Sequence, residues 1–226
     1  MGYFTPELFA FLKQLKRNNN RDWFNKNKER YIEEVQQPAL EFVSAVGPGL
    51  RKISQNFLAD PRPVGGSLFR IYRDTRFSKD KTPYKTHVGI NFHHRAAKDV
   101  HSPGFYLHLE PGEVFVGAGI WHPDTKAATT IREAIVERPA VWRKAVHAAP
   151  FSKSYRLSTE SLVRAPRGFD PEHPLVDDLR LKDFIGIRDF GEKTATSERF
   201  LATFLDACKE AAGLVRFLCE ALGVQY

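Results

Sequence analysis

The spacing of hydrophobic and polar residues changes twice along this chain. Up to about residue 50, apolar side chains recur every three or four positions, which is typical of helices that bury one face. Between about residues 68 and 121 they alternate with polar ones, which indicates β-strands. Helical spacing returns after residue 123 and, beyond an irregular stretch at residues 151–192, continues to the end. The pattern predicts an α+β fold.

Turn and capping residues predict where the helices begin and end. Thr5 and Pro6 favour the start of the first helix, and Asn20 is suited to cap the second. Pro38 either kinks the second helix or opens a third, which is expected to end at residues 47–49 (Gly-Pro-Gly). Further helices are predicted after Asp124, from Pro139 and over about 197–222.

Four strands are predicted, at about residues 68–74, 87–93, 104–110 and 113–121, with a further strand suggested at 184–190. They form a central antiparallel sheet (about residues 68–121) packed by N-terminal and C-terminal helices. One face of the sheet is aliphatic. The other gathers His87, Gly89, Asn91, His93, Tyr106, His108, Glu110, Phe115, Gly117, Gly119 and Trp121. This polar face either has room for a ligand or is covered by more helix, with its histidines hydrogen-bonded inside.

Length and composition suit one domain spanning residues 1–226. Of the 226 residues, 42% are hydrophobic and 27% charged, which is ordinary for a globular protein. No leader sequence is recognised, and the longest uncharged run is about half of the roughly 20 residues that a membrane helix needs. Cys208 and Cys219 would lie about 16 Å apart on one helix, too far for a disulfide. We expect a cytoplasmic protein with no membrane association.

Two short regions carry the excess of positive charge. The formal net charge is +7; residues 13–30 contribute a net five and residues 70–85 a net four. Anion-binding candidates in the second region are Arg70, Arg73, Arg76, Lys79, Lys81, Tyr84 and Lys85. Guanidinium groups bind phosphate or carboxylate with two hydrogen bonds, and lysines add point charge. The alternative is a structural lattice in which the arginines pair with Asp74 and Asp80.

Six of the eight histidines fall within 36 residues: His87, His93, His94, His101, His108 and His122. Their spacing matches no zinc motif, so no metal ligand is assigned from the sequence. His87, or His108 together with Glu110, is a candidate general acid or base beside the arginines. The chain has no phosphate-binding loop, dinucleotide fingerprint or nucleophile elbow, so nothing supports a Rossmann cofactor, and the identity of any cofactor stays unknown.

Several blocks of the chain resemble a known family. One has the pattern F-R-x-Y-R-D-x-R-F-S-x-D-K-x-P-Y-K-T, within residues 69–87, and the others are residues 19–24, 104–112, 117–121 and 166–170. The family is a domain-of-unknown-function family of conserved hypothetical proteins, mainly bacterial with some fungal members. The resemblance implies no activity and transfers no catalytic residue.

The leading hypothesis is a protein that binds an anionic, phosphate-type ligand or substrate in a basic cleft. The first alternative is a nucleic-acid-binding module that uses both basic regions and exposed aromatic residues. The second is a metal-dependent hydrolase using His108, Glu110 and nearby histidines. The third is a structural or interaction protein. The sequence indicates neither an oligomeric state nor whether the protein is an enzyme.

Overall fold

The computed structural model describes residues 2–96 and 102–226. Within them, antiparallel strands form a five-stranded sheet in the order β1-β2-β3-β5-β4. The strands are β1 (Val88–His93), β2 (Gly104–Glu110), β3 (Glu113–Ile120), β4 (Arg156–Leu157) and β5 (Phe184–Phe190). The sheet, with helices before and after it, confirms the predicted α+β class. The predicted strands at 87–93, 104–110, 113–121 and 184–190 agree with it to within one residue.

Helices precede, interrupt and follow the sheet. Those before it are α1 (Pro6–Arg17), α2 (Arg21–Lys26), α3 (Lys28–Tyr31), a π-helical turn (Ile32–Gln36) and α4 (Gln37–Ile53). Those after β3 are α5 (Thr125–Glu137), α6 (Pro139–Val146), α7 (Phe151–Ser154), α8 (Val176–Leu179), α9 (Glu192–Ala195), α10 (Phe200–Glu210) and α11 (Ala212–Ala221). The Asn20 side chain accepts a hydrogen bond from the Trp23 backbone N–H, which confirms it as the cap of α2.

Helix α4 extends further than the sequence predicts. Pro38 lies in its first turn, but the helix continues through Pro48 to Ile53 instead of ending at the Gly-Pro-Gly run. Gly47 and Leu50 are buried within this extension. Packing of the apolar face therefore outweighs the local cost of proline and glycine, because tertiary contacts supply most of the stability of a helix.

The aliphatic face of the sheet forms the centre of the core, as predicted. All ten alternating side chains on this face of β1, β2 and β3 are at most 4% exposed. Helix α4 packs on β1, while α10 and α11 pack on β3. Helices from both ends of the chain thus cover one side of the sheet and leave its polar side toward loops.

The strand predicted at residues 68–74 is wrong. Leu68 makes a single bridge to β1, after which the chain turns away from the sheet. Ile71 and Arg73 instead bond to the backbone of the returning segment, through Lys85 N to Ile71 O (2.8 Å) and Arg73 N to Pro83 O (2.9 Å). Residues 70–85 therefore form their own two-armed loop, since Pro83 and the charged tip cannot extend a sheet ladder.

The C-terminal helical stretch is two helices rather than the single one predicted over 197–222. Helices α10 and α11 are separated at Ala211, yet Cys208, Ala211 and Val215 are all fully buried. Because the apolar stripe continues across the break, the sequence periodicity carries no sign of it. In the part of the chain that the structure describes, no helix combines the length and apolar character needed to cross a membrane.

Candidate functional site

A cavity of about 650 Å³ lies on the polar face of the sheet. Tyr106, Gly117 and Ile187 form part of its floor, on the adjacent strands β2, β3 and β5. It extends from His108, opposite Phe115 on β3, toward Trp121 beyond the end of that strand. Six residue steps separate Phe115 from Trp121, or roughly 20 Å along a strand. The cavity is therefore elongated, and its two ends have different chemistry.

One end contains a cluster of His87, His108 and Glu110. One ligand-type atom from each of the three residues lies within 4.8 Å of the others. The His108 ring stacks on Phe115, with centroids 4.7 Å apart and 8° between the planes, and the centroid of the His87 ring lies 4.6 Å from that of His108. The three candidate acid–base residues are thus brought together.

The register of β1 and β2 builds this cluster. Gly89 lies opposite His108, and a side chain at position 89 would lie 2.6 Å from the Tyr106 hydroxyl. Without one, the hydroxyl passes over β1 and reaches His108 Nδ1 at 3.2 Å. On the far side of His108, Glu110 Oε2 lies 3.5 Å from His108 Nε2. The imidazole is held by its neighbours in one orientation.

Burial and local charges set the protonation of the cluster. Burial, helped by the nearby His108, lowers the pKa of His87 to about 4. Burial also lowers the pKa of His108, against the opposing charges of Glu113 and Glu110. Burial alone would raise the pKa of Glu110, but hydrogen bonds from Lys16 and Thr86 outweigh it and lower the pKa. At neutral pH the cluster holds two neutral imidazoles and one carboxylate.

Lys85 brings a cation to the same end of the cavity. Its Nζ lies 5.2 Å from the centre of the Phe69 ring, and both residues line the wall. Burial, together with the charge of Arg70, lowers the pKa of the ammonium group. Among residues 2–96 and 102–226, no carboxylate forms an ion pair with Lys85.

The other anion-binding candidates do not converge on this cavity. Arg73 pairs with Asp80 at 2.5 Å and also bonds Thr82, while Arg76 pairs with Asp74 at 2.7 Å. The remaining four are placed as follows: Lys81 donates to Thr75 O, Lys79 is exposed, Tyr84 is buried against Phe24, and Arg70 lines a separate cavity of about 450 Å³. For Arg73 and Arg76 the arrangement is that of the Arg–Asp lattice.

The remaining clustered histidines are also dispersed. His94 is buried and bonds Gln225 O through Nε2 at 2.7 Å, and His93 is half-buried on β1. His101 lies outside the described residues. His122 adopts a positive φ of 46° and is fixed by Asp183, which accepts from both its backbone N–H (2.6 Å) and its Nδ1 (2.9 Å).

The far end of the cavity was not predicted as part of the site. Glu160 and Asp183 line it beside Trp121, and Trp121 stacks on His122 with ring centroids 4.1 Å apart. The two acidic residues come from the stretch at 151–192, whose pattern is irregular. Trp121 alone carried a signal, because the alternation of β3 assigns it to the polar face.

The fold and the cavity define an α+β protein with a ligand-sized pocket on the open face of an antiparallel sheet. The chain belongs to the conserved hypothetical protein family DUF2461, whose family model matches residues 7–217. This confirms the resemblance seen in the sequence. Neither a curated protein nor a solved structure matched the chain.

Proposed function

We propose that this protein binds a small anionic ligand or substrate, of phosphate or carboxylate type, in the cavity on the polar face of the sheet. Lys85 is the cationic group that the anion contacts. The observation that carries the proposal is a half-buried ammonium group on the cavity wall with no carboxylate partner in the described part of the chain.

An unpaired charge held partly away from water is costly for a folded protein. Binding an anion at Lys85 offsets that cost, and a charge-assisted hydrogen bond adds to the affinity. The cavity volume of about 650 Å³ is typical of small-molecule sites. Phe69, Tyr106 and Phe115 give the walls next to Lys85 an aromatic character that suits an apolar or planar body behind the anionic group.

Thermal unfolding in the presence of phenyl phosphate, benzoate and neutral benzyl alcohol tests this function. A ligand at 100 times its Kd adds about 2.7 kcal/mol of stability, which raises the Tm of a chain of this size by about 5 to 10 °C. We expect a shift with at least one of the anions and none with the alcohol. The shift is lost in Lys85→Met and kept in Lys79→Met, which removes an exposed charge from the loop tip. Equal shifts in both variants, or no shift with either anion, would overturn the proposal.

A second candidate, binding of single-stranded nucleic acid, is favoured by the surroundings of Tyr72. This side chain is 51% exposed and lines two cavities. One is lined by Lys28 and Arg70 and the other by Arg21 and Arg73, so both basic regions of the sequence contribute. An exposed aromatic ring flanked by cations is a platform on which a base can stack.

Fluorescence anisotropy with a labelled oligonucleotide, measured at several salt concentrations, tests this second candidate. The expected affinity falls steeply with salt and drops further in Tyr72→Ala. Binding that is absent, or that neither salt nor Tyr72→Ala changes, would discard it.

A further inference from the structure

We infer that His87, His108 and Glu110 form a binding site for a divalent transition metal ion such as Zn²⁺. This site goes beyond the proposed anion-binding function and stands on different residues from Lys85. Two imidazole nitrogens and one carboxylate oxygen are a donor set that such ions accept. In the described part of the chain, these three residues are the group of histidine, cysteine and acidic side chains close enough to share an ion.

The distances fit a small ion. A tetrahedral ion with bonds of about 2.1 Å holds its ligand atoms about 3.4 Å apart. His108 Nε2 and Glu110 Oε2 are already 3.5 Å apart. One ligand atom from each of the three residues lies within 4.8 Å of the others, so the largest closing movement between these atoms is about 1.4 Å.

An unsatisfied nitrogen marks the position of the ion. His108 is only 8% exposed, and its buried Nε2 makes no well-formed hydrogen bond, since Glu110 Oε2 lies 3.5 Å away. The other ring nitrogen, Nδ1, is already engaged by the Tyr106 hydroxyl. Buried polar atoms without partners are rare and costly, and a metal ion at Nε2 would remove this cost.

The surrounding hydrogen bonds leave the remaining carboxylate oxygen free for the ion. Glu110 Oε1 accepts from Lys16 Nζ at 3.3 Å and from Thr86 Oγ1 at 3.2 Å, whereas Oε2 is the oxygen that faces His108. The hydrogen bond between the Tyr106 hydroxyl and His108 Nδ1 plays the same orienting role for the histidine. Such outer contacts orient metal ligands and hold their tautomers in metal sites generally.

Three protein ligands leave one coordination position, which is the arrangement of catalytic rather than structural zinc sites. Both histidines line the cavity in which the proposed ligand lies, so the inferred ion would border that space. A water molecule bound there is the nucleophile that metal-dependent hydrolases use.

Isothermal titration of chelator-treated, desalted protein with ZnCl₂ and CoCl₂ tests the site. We expect one equivalent to bind to the wild type and the affinity to fall at least 100-fold in His87→Ala and in Glu110→Gln. Glu110→Gln keeps the size of a partly exposed side chain, so folding is preserved, and circular dichroism verifies this. His93→Ala, which removes another half-buried histidine of the same sheet, is the matched control and should bind as the wild type does. Bound Co²⁺ should show the visible absorption of a tetrahedral site.

Absence of saturable one-to-one binding would overturn the inference and leave a His–His–Glu cluster that holds no ion. So would an affinity that is unchanged in both His87→Ala and Glu110→Gln, or lowered equally in His93→Ala. Lys85→Met is expected to keep the metal affinity while losing the anion-induced shift. A failure of the anion proposal and a failure of the metal site are therefore recognised in different variants.

Discussion

Asn19 holds the basic loop against the N-terminal helices. Its side chain donates to Tyr84 O at 2.9 Å and accepts from Tyr84 N at 3.1 Å, so one amide satisfies both backbone groups of a buried residue. The Tyr84 ring stacks on Phe24 with centroids 4.1 Å apart. Since Lys85 follows directly, the same pair of hydrogen bonds positions the cation of the proposed anion site.

We predict that Asn19→Ala lowers the free energy of unfolding by about 2 to 4 kcal/mol. Tyr84 is only 3% exposed, so the substitution leaves one donor and one acceptor with little access to water. Each unsatisfied group costs about 1 to 2 kcal/mol at such a site. For a chain of this length the loss corresponds to a fall in Tm of about 5 to 15 °C. Urea unfolding followed by tryptophan fluorescence measures the free energy, and the anion-induced Tm shift should shrink as Lys85 loses its support.

Two other asparagines of the same region give graded controls. Asn20→Ala removes the cap of α2, a single exposed hydrogen bond that the Asn20 side chain accepts from the Trp23 N–H, and should cost about 1 kcal/mol. Asn25 is exposed and makes no side-chain hydrogen bond in the described part of the chain, so Asn25→Ala should stay within about 0.5 kcal/mol of the wild type. If Asn19→Ala lowers the free energy of unfolding no more than Asn20→Ala does, the two hydrogen bonds between Asn19 and Tyr84 do not hold the loop, and the reasoning is refuted.

Three further predictions concern the sheet and the core. Gly119→Ala should unfold at a much lower urea concentration than Gly117→Ala. At position 119 φ is +130° and an added methyl group overlaps a carbonyl oxygen of β5, whereas at position 117 the nearest atom to the methyl group is 3.7 Å away. Similar urea midpoints for the two variants would contradict this prediction. Trp142 is fully buried, and its Nε1 has no hydrogen-bond partner in the described part of the chain. Trp142→Ala should therefore lower the free energy of unfolding by about 3 to 5 kcal/mol, and Trp142→Phe by far less, because phenylalanine fills most of the space and removes the unsatisfied N–H. Equal losses of stability in calorimetry would contradict this prediction. Burial raises the pKa of Cys208 and raises that of Cys219 to about 12, so a thiol reagent at pH 8 should label neither until the protein unfolds.

The alternation of apolar and polar residues was enough to predict the sheet, because a period of two residues fixes which side chains lie on each face of a strand. Val116 and Gly117 are adjacent on β3, yet one lies in the core and the other on the cavity floor, as their order in the strand requires. The same period was misleading at residues 68–74, where Ile71 is buried and Tyr72 is half-exposed although no strand forms. Alternating burial needs only an extended chain, whereas a strand also needs a neighbouring strand with free backbone groups.

Charge density along the chain does not show which cations share a cavity, for a related reason. Arg73, Arg76 and Lys85 are close in sequence, but the two-armed loop directs them to different partners. Local sequence provides both the cations and the aspartates that neutralise two of them, through Asp80 and Asp74. What distinguishes Lys85 is that no such partner accompanies it, and this depends on the tertiary structure rather than on the number of basic residues.

The cluster of His87, His108 and Glu110 could be predicted from the sequence only in part. The period of β2 assigns His108 and Glu110 to one face, so two of the three residues of the proposed metal site are grouped by the sequence alone. His87 precedes β1, and its approach to His108 depends on the hairpin register that puts Gly89 opposite His108. A shift of that register by one residue would turn the β1 side chains to the other face and separate the two imidazoles. The linear spacing from His87 to Glu110 therefore resembles no metal motif, because strand pairing and not chain proximity brings the three side chains together.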